Sequence, residues 1–199
     1  MRRFKITSYI LCSIFVITFI IRYLINILLN SDLDDIFRSV NNLCIPTLFI
    51  ANALFHKNSA AKGAAICGGL SVLLIILQIV FLELRQELWP ELSDSLFYTC
   101  CNISWIILQL ILFIAIALFA ESHRKNRVIL SFSTALVVIM FITNIVSRVC
   151  HGHIYQYIYD CDVDNPRLWI NISLLLFDIP SAIATCALFY AASTIKDKQ

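Results

Sequence analysis

Two side chains in this sequence carry a full charge inside long apolar runs: Arg22 within residues 6–29 and Asp178 within residues 168–192. A charge at the centre of a bilayer costs about 2.5–3.5 kcal/mol on insertion scales, so each is first a candidate for function. At the rise of an α-helix, Asp178 lies roughly 16 Å above Phe189 at the inner end of its run, and Arg22 roughly 20–24 Å above the inner end of the first. The length of an arginine side chain spans that difference. The pair is therefore expected to form an ion pair that closes the first helix onto the last. The competing readings are an Arg22 that snorkels to the outer headgroups and an Asp178 held in a structural hydrogen bond.

Uncharged polar residues fall at nearby depths: Gln78, Gln109 and Asn144. Facing inward together with Arg22 and Asp178, they would make a polar layer in mid-membrane, where small-solute and ion sites of transport proteins lie. The alternative is a set of interhelical hydrogen bonds worth about 0.6–2 kcal/mol each. Asp178, Ser181, Ala182 and Thr185 follow i, i+3, i+4, i+7 and give one polar, small stripe. Pro46 and Pro180 each remove an amide and free a carbonyl one turn earlier, at Asn42 and Leu176.

A second concentration of chemistry runs from Cys150 through His151 and His153 to Cys161, with Asp160, Asp162 and Asp164 close by. Thiolate and imidazole suit zinc or copper, yet the spacing fits no zinc motif. A Cys150–Cys161 disulfide and a pair of free thiols are the other readings. The chain has no Gly-rich phosphate loop, no Gly-x-Ser-x-Gly and no His-Glu-x-x-His; no cofactor is implied. Close helix packing is suggested by Ala64 with Gly68 and by Ala65 with Gly69.

The elements that must position these residues follow from composition. Of 199 residues, 60% are hydrophobic and 14% charged, and the mean hydropathy is +0.83. A soluble domain carries about 25% charged residues. The excess is gathered in runs at 6–29, 39–55, 66–84, 96–120, 128–150 and 168–192, each near the about 17–25 residues that cross a bilayer. The fold class expected is an all-α integral membrane protein: one domain over 1–199, a bundle of six transmembrane helices. Every lysine falls in the N-terminus, 56–62, 121–127 or the tail after Thr194, whereas Asp32, Asp34, Asp35, Glu83, Glu87, Glu91, Asp94, Asp160, Asp162 and Asp164 fall in the other connections. The positive-inside rule then sets both termini in the cytoplasm, and the plasma membrane is the expected location. There is no basic stripe with interleaved aromatics, so nucleic acid is not an expected partner.

The sequence LFIANALF at Leu48–Phe55 returns as LFIAIALF at Leu112–Phe119 with seven of eight letters unchanged, and more weakly as AIATCALF at Ala182–Phe189. Each copy ends an inward-running helix, so the bundle reads as three repeated helical hairpins whose motif is an apolar packing anchor. Three function classes fit these observations. The first is a small transporter, or the substrate-binding membrane subunit of one, handling a small molecule or ion. The second is a structural or accessory subunit with a membrane-protein partner and no site of its own. The third is a membrane-embedded enzyme acting on lipid or peptide. The third is weakest, because no nucleophile–base pair can be put within reach.

Overall fold

A backbone surrounded by hydrocarbon has no water to bond, so an isolated apolar segment satisfies its amides only as a helix. The computed structural model of this chain describes residues 2–28, 33–88, 94–139, 142 and 166–195. These residues form six helices and no strand: α1 (Arg2–Leu28), α2 (Leu33–Phe55), α3 (Ser59–Leu88), α4 (Asp94–Ser122), α5 (described over Arg127–Ile139) and α6 (Pro166–Ser193).

Several helices begin earlier than the apolar runs, for local reasons. At α3, Asn58 Oδ1 accepts the Ala61 amide at 2.6 Å, and the Asn58 carbonyl accepts the Lys62 amide at 3.1 Å. At α5, Asn126 Oδ1 accepts from the amides of Val128 and Ile129 at 3.2 and 3.4 Å. An asparagine at a helix N-cap satisfies amides that otherwise have no partner. At α2, the helix takes in residues 33–38, ahead of the apolar run.

Among the described residues, three helices contain stretches long and apolar enough to cross a membrane: Arg3–Ile25 of α1, Ser59–Phe81 of α3 and Ile103–Ser122 of α4. Their outward faces are apolar as well. Ile10, Ile17 and Leu24 of α1, Leu73, Leu77 and Val80 of α3, and Ile103, Ile107 and Ile114 of α4 are all exposed. A soluble monomer rarely carries continuous apolar patches of this size, and lipid is the solvent that suits them.

The helices pack in the order α6, α1, α2, α3, α4, with α2 also touching α4. Neighbours run antiparallel. On α1 and α6, contacts climb from Ser8–Phe189 to Arg22–Asp178. On α3 and α4 they run from Gly63–Leu118 to Gln78–Ser104. The α2–α3 seam is set by Gly68: a Cβ there would lie 2.9 Å from the Pro46 carbonyl oxygen. Ala64, Gly68, Ser71 and Ile75 form the buried face of α3. Gly69, by contrast, faces open space, so of the two small-residue pairs only Ala64–Gly68 serves close packing.

Leu48, Phe49, Leu108, Ile116, Phe119 and Leu188 are the large, fully buried centre of the core. On α5, Ile129 and Leu136 join it from one face, as an i, i+7 spacing requires. All three Ala-Leu-Phe segments contribute, but with different faces. Phe119 and Phe189 are buried whereas Phe55 is exposed, and Phe49 is buried whereas Ile183 is exposed.

Candidate functional site

The contact between α1 and α6 is apolar below and polar above. Ser8 Oγ donates to the Phe189 carbonyl at 2.6 Å in a buried position. Phe15 then packs on Phe189 and Phe19, and Phe19 on Tyr23, with ring centroids 6.3, 6.1 and 4.8 Å apart. One turn higher, Arg22 Nη1 lies 3.3 Å from Asp178 Oδ2. The side chains are unequally covered: Arg22 is 9% exposed and Asp178 33%. Tyr23 Oη donates to the same Oδ2 at 2.9 Å, and the Arg22 guanidinium lies 5.8 Å from the Tyr23 ring centroid. Both polar contacts of the carboxylate therefore fall on one oxygen.

Across from this pair, Thr18 of α1 hydrogen-bonds Asn41 Oδ1 of α2, and Asn41 is buried. Between the two groups lies a cavity of about 130 Å³. Its polar lining comes from Arg22, Asn41, Asn42, Gln109, Asp178, Ser181 and Thr185, hence from α1, α2, α4 and α6. Phe15, Phe19, Trp105 and Leu108 supply apolar walls. A void of this size admits a solute of about six heavy atoms, as an engineered cavity of about 150 Å³ admits benzene. Pro46 has no amide, so the Asn42 carbonyl has no helical donor one turn on, and Asn42 is among the lining residues.

The residues singled out in the sequence separate in space. Arg22, Asp178 and Gln109 meet at this cavity, with the whole stripe Asp178, Ser181, Ala182 and Thr185 along one wall. Gln78 does not reach it: its Nε2 donates to Ser104 Oγ at 3.0 Å and joins α3 to α4. Asn144, Cys150, His151, His153 and Cys161 lie outside the described residues. Among the described residues, no group of three or more His, Cys, Asp or Glu side chains is placed to hold a metal.

A second polar cluster, at the opposite depth, was not singled out by the sequence. Asn52, in the middle of LFIANALF, is fully buried. Its Nδ2 donates to Ser122 Oγ at 3.2 Å, and its Oδ1 lies 2.8 Å from His123 Nε2. An amide oxygen only accepts, so Nε2 of His123 carries the proton. Ser122 Oγ donates in turn to the Phe119 carbonyl at 2.7 Å, and Asn58 Nδ2 donates to the Ser122 carbonyl at 3.3 Å. Aromatic rings close the cluster. Phe4, His56, His123, Phe119 and Phe49 form a ladder with successive centroids 5.3, 5.0, 5.0 and 5.5 Å apart. Burial, and then the charge of neighbouring His56, push the His123 ring down to about 4 from its usual 6.5. It is neutral near pH 7. The one letter that distinguishes LFIANALF from LFIAIALF, Asn52 against Ile116, was the available signal for this cluster.

Comparison with family models, with curated proteins and with solved structures finds no match to this chain.

Proposed function

We propose that this chain is a small transporter, or the substrate-binding membrane subunit of one, that holds a small polar or ionic solute in mid-membrane. In this reading it crosses the plasma membrane six times as three similar hairpins, with both termini in the cytoplasm. The lysine distribution supports the orientation, and the three Ala-Leu-Phe segments support the repeat.

The observation that carries the proposal is the cavity of about 130 Å³ beside Arg22 and Asp178. Two opposite charges that served only to join α1 and α6 would gain most from a dry, fully packed contact with every lone pair satisfied. Here the carboxylate is one-third exposed and both of its bonds fall on one oxygen. A cationic group of the solute would be drawn to Asp178, an anionic group to Arg22. Gln109, Asn41 and Thr185 would supply neutral hydrogen bonds that orient it. Occupation replaces contacts that the pair makes with itself, so the solute and the ion pair compete.

The test is ligand-induced stabilisation of the reconstituted full-length chain against Na⁺, K⁺, protons, small amines and small zwitterions. At least one is expected to raise the unfolding temperature of the wild type and not that of Asp178→Asn, at equal assembly. Normal uptake and growth in cells carrying Asp178→Leu at wild-type protein levels would remove the proposal.

A further inference from the structure

A separate, open concavity of about 910 Å³ lies at the end of the bundle that holds the α2–α3 and α4–α5 turns. Its walls are the start of α3 (Asn58, Ser59), the turn after α4 (Glu121 to Asn126), the start of α5 (Arg127, Val128) and the end of α6 (Thr194, Ile195). Among the described residues, Arg124, Lys125 and Arg127 bring three cationic side chains to it, against the single carboxylate of Glu121. Glu121 is engaged by Arg124 at 3.5 Å, so Lys125 and Arg127 carry the positive charge that Glu121 does not offset. We infer that this pocket binds a phosphate-bearing anion, with Lys125 and Arg127 as its principal ligands.

Its position limits the sources of that anion. The candidate membrane stretch of α3 starts at Ser59 and that of α4 ends at Ser122, and both residues line the pocket. The pocket therefore opens at the level where a bilayer gives way to its headgroups, and basic pockets between helices at that level suit anionic lipid headgroups. A free phosphate in the aqueous phase carries the same chemistry. The helix start of α5 is not the main attraction, because the Asn126 side chain already takes the Val128 and Ile129 amides. Neither is the floor: His123 donates Nε2–H to Asn52 and brings no charge. The work falls to the long side chains at the rim.

The inference is independent of the mid-membrane cavity and is tested apart from it. Full-length protein in a neutral detergent is titrated with fluorescent phosphatidylglycerol, with fluorescent phosphatidylcholine, and with inorganic phosphate as competitor. Two matched pairs of substitutions are compared. Lys125→Gln with Arg127→Gln removes two cations from the pocket. Arg3→Gln with Lys5→Gln removes two from the exposed start of α1, at the same end of the bundle by the Phe4–Phe55 contact. At about fivefold per cation, the pocket pair is expected to weaken phosphatidylglycerol binding about 25-fold, and the α1 pair by less than about twofold. Lys125→Met with Arg127→Met, which keeps the apolar stems, is expected to give the same loss. Displacement of the lipid by inorganic phosphate, or stabilisation by phosphate alone, identifies the free anion as the source and supports the site. Equal losses from the two pairs would mean diffuse surface attraction and overturn it. So would a wild type that neither prefers phosphatidylglycerol to phosphatidylcholine nor responds to phosphate.

Discussion

The two buried polar clusters of this bundle are built from similar materials and come out differently. At one end Asn52 and His123 are buried and Ser122 is half-buried; Asn52 bonds to both of the others, and a ladder of rings packs alongside. Nearer the middle, Arg22 and Asp178 meet through one carboxylate oxygen beside a void of about 130 Å³. A buried polar group that is fully bonded fixes one packing and has no capacity left for a ligand. A charged pair beside open volume keeps that capacity and gives up some stability for it. In the reading proposed above the first cluster is architecture and the second is a site, although both are polar residues in apolar helices.

Breaking the first cluster should cost stability and leave solute binding alone. Asn52→Ala strands His123 Nε2–H and removes the Ser122 partner in a buried position, and is expected to lower unfolding stability by about 2–4 kcal/mol. Chemical or thermal unfolding in detergent checks this. A variant that keeps its stability but loses solute binding would reverse the assignment of the two clusters.

Acid should act on the same cluster. The folded protein holds His123 near 4 while the unfolded chain holds it near 6.5. Between these values the unfolded chain binds more protons, so stability is full above about pH 6.5 and is lost as pH falls toward 4. The loss is on the order of 3 kcal/mol. His123→Gln keeps a donor for Asn52 and is expected to flatten that acid limb, as followed by unfolding temperature against pH. An unchanged limb would place the titrating group elsewhere.

Between the clusters, Gly68→Ala sets a methyl 2.9 Å from the Pro46 carbonyl. Separating α2 from α3 there is expected to cost about 1–3 kcal/mol, while Gly69→Ala, in open space, is neutral. Equal effects from the two substitutions would contradict the close approach. The smallest effect belongs to Gln78. Its bond to Ser104 is a helix–helix tie away from the cavity, so Gln78→Leu should cost about 0.6–1.7 kcal/mol and leave solute binding unchanged. Loss of solute binding instead would extend the site to α3.

Part of the candidate site was legible in the sequence. Arg22 and Asp178 stand out because charge is rare in apolar runs, and the i, i+3, i+4, i+7 stripe on α6 follows from helix geometry alone. Tyr23 and Asn41 complete the site through partners on other helices, which no spacing along one chain encodes. Asn52 was hidden for a different reason. It sits in a motif that is otherwise apolar and repeated, so its polarity read as noise in a packing anchor. His123 lies in the basic stretch 121–127, where charge alone was read, and contacts from other helices bury it. Helices start ahead of their apolar runs where an asparagine caps them, as at Asn58, because hydropathy marks what lipid covers and not where hydrogen bonding begins.

The contrast rests most directly on one comparison: ligand-induced stabilisation of reconstituted wild type, Asp178→Asn and Asn52→Ala, each measured against the same panel of small ions, amines and zwitterions. The expected result is a shift in wild type, the same shift from a lower starting temperature in Asn52→Ala, and none in Asp178→Asn. A shift that survives in Asp178→Asn but disappears in Asn52→Ala would contradict it.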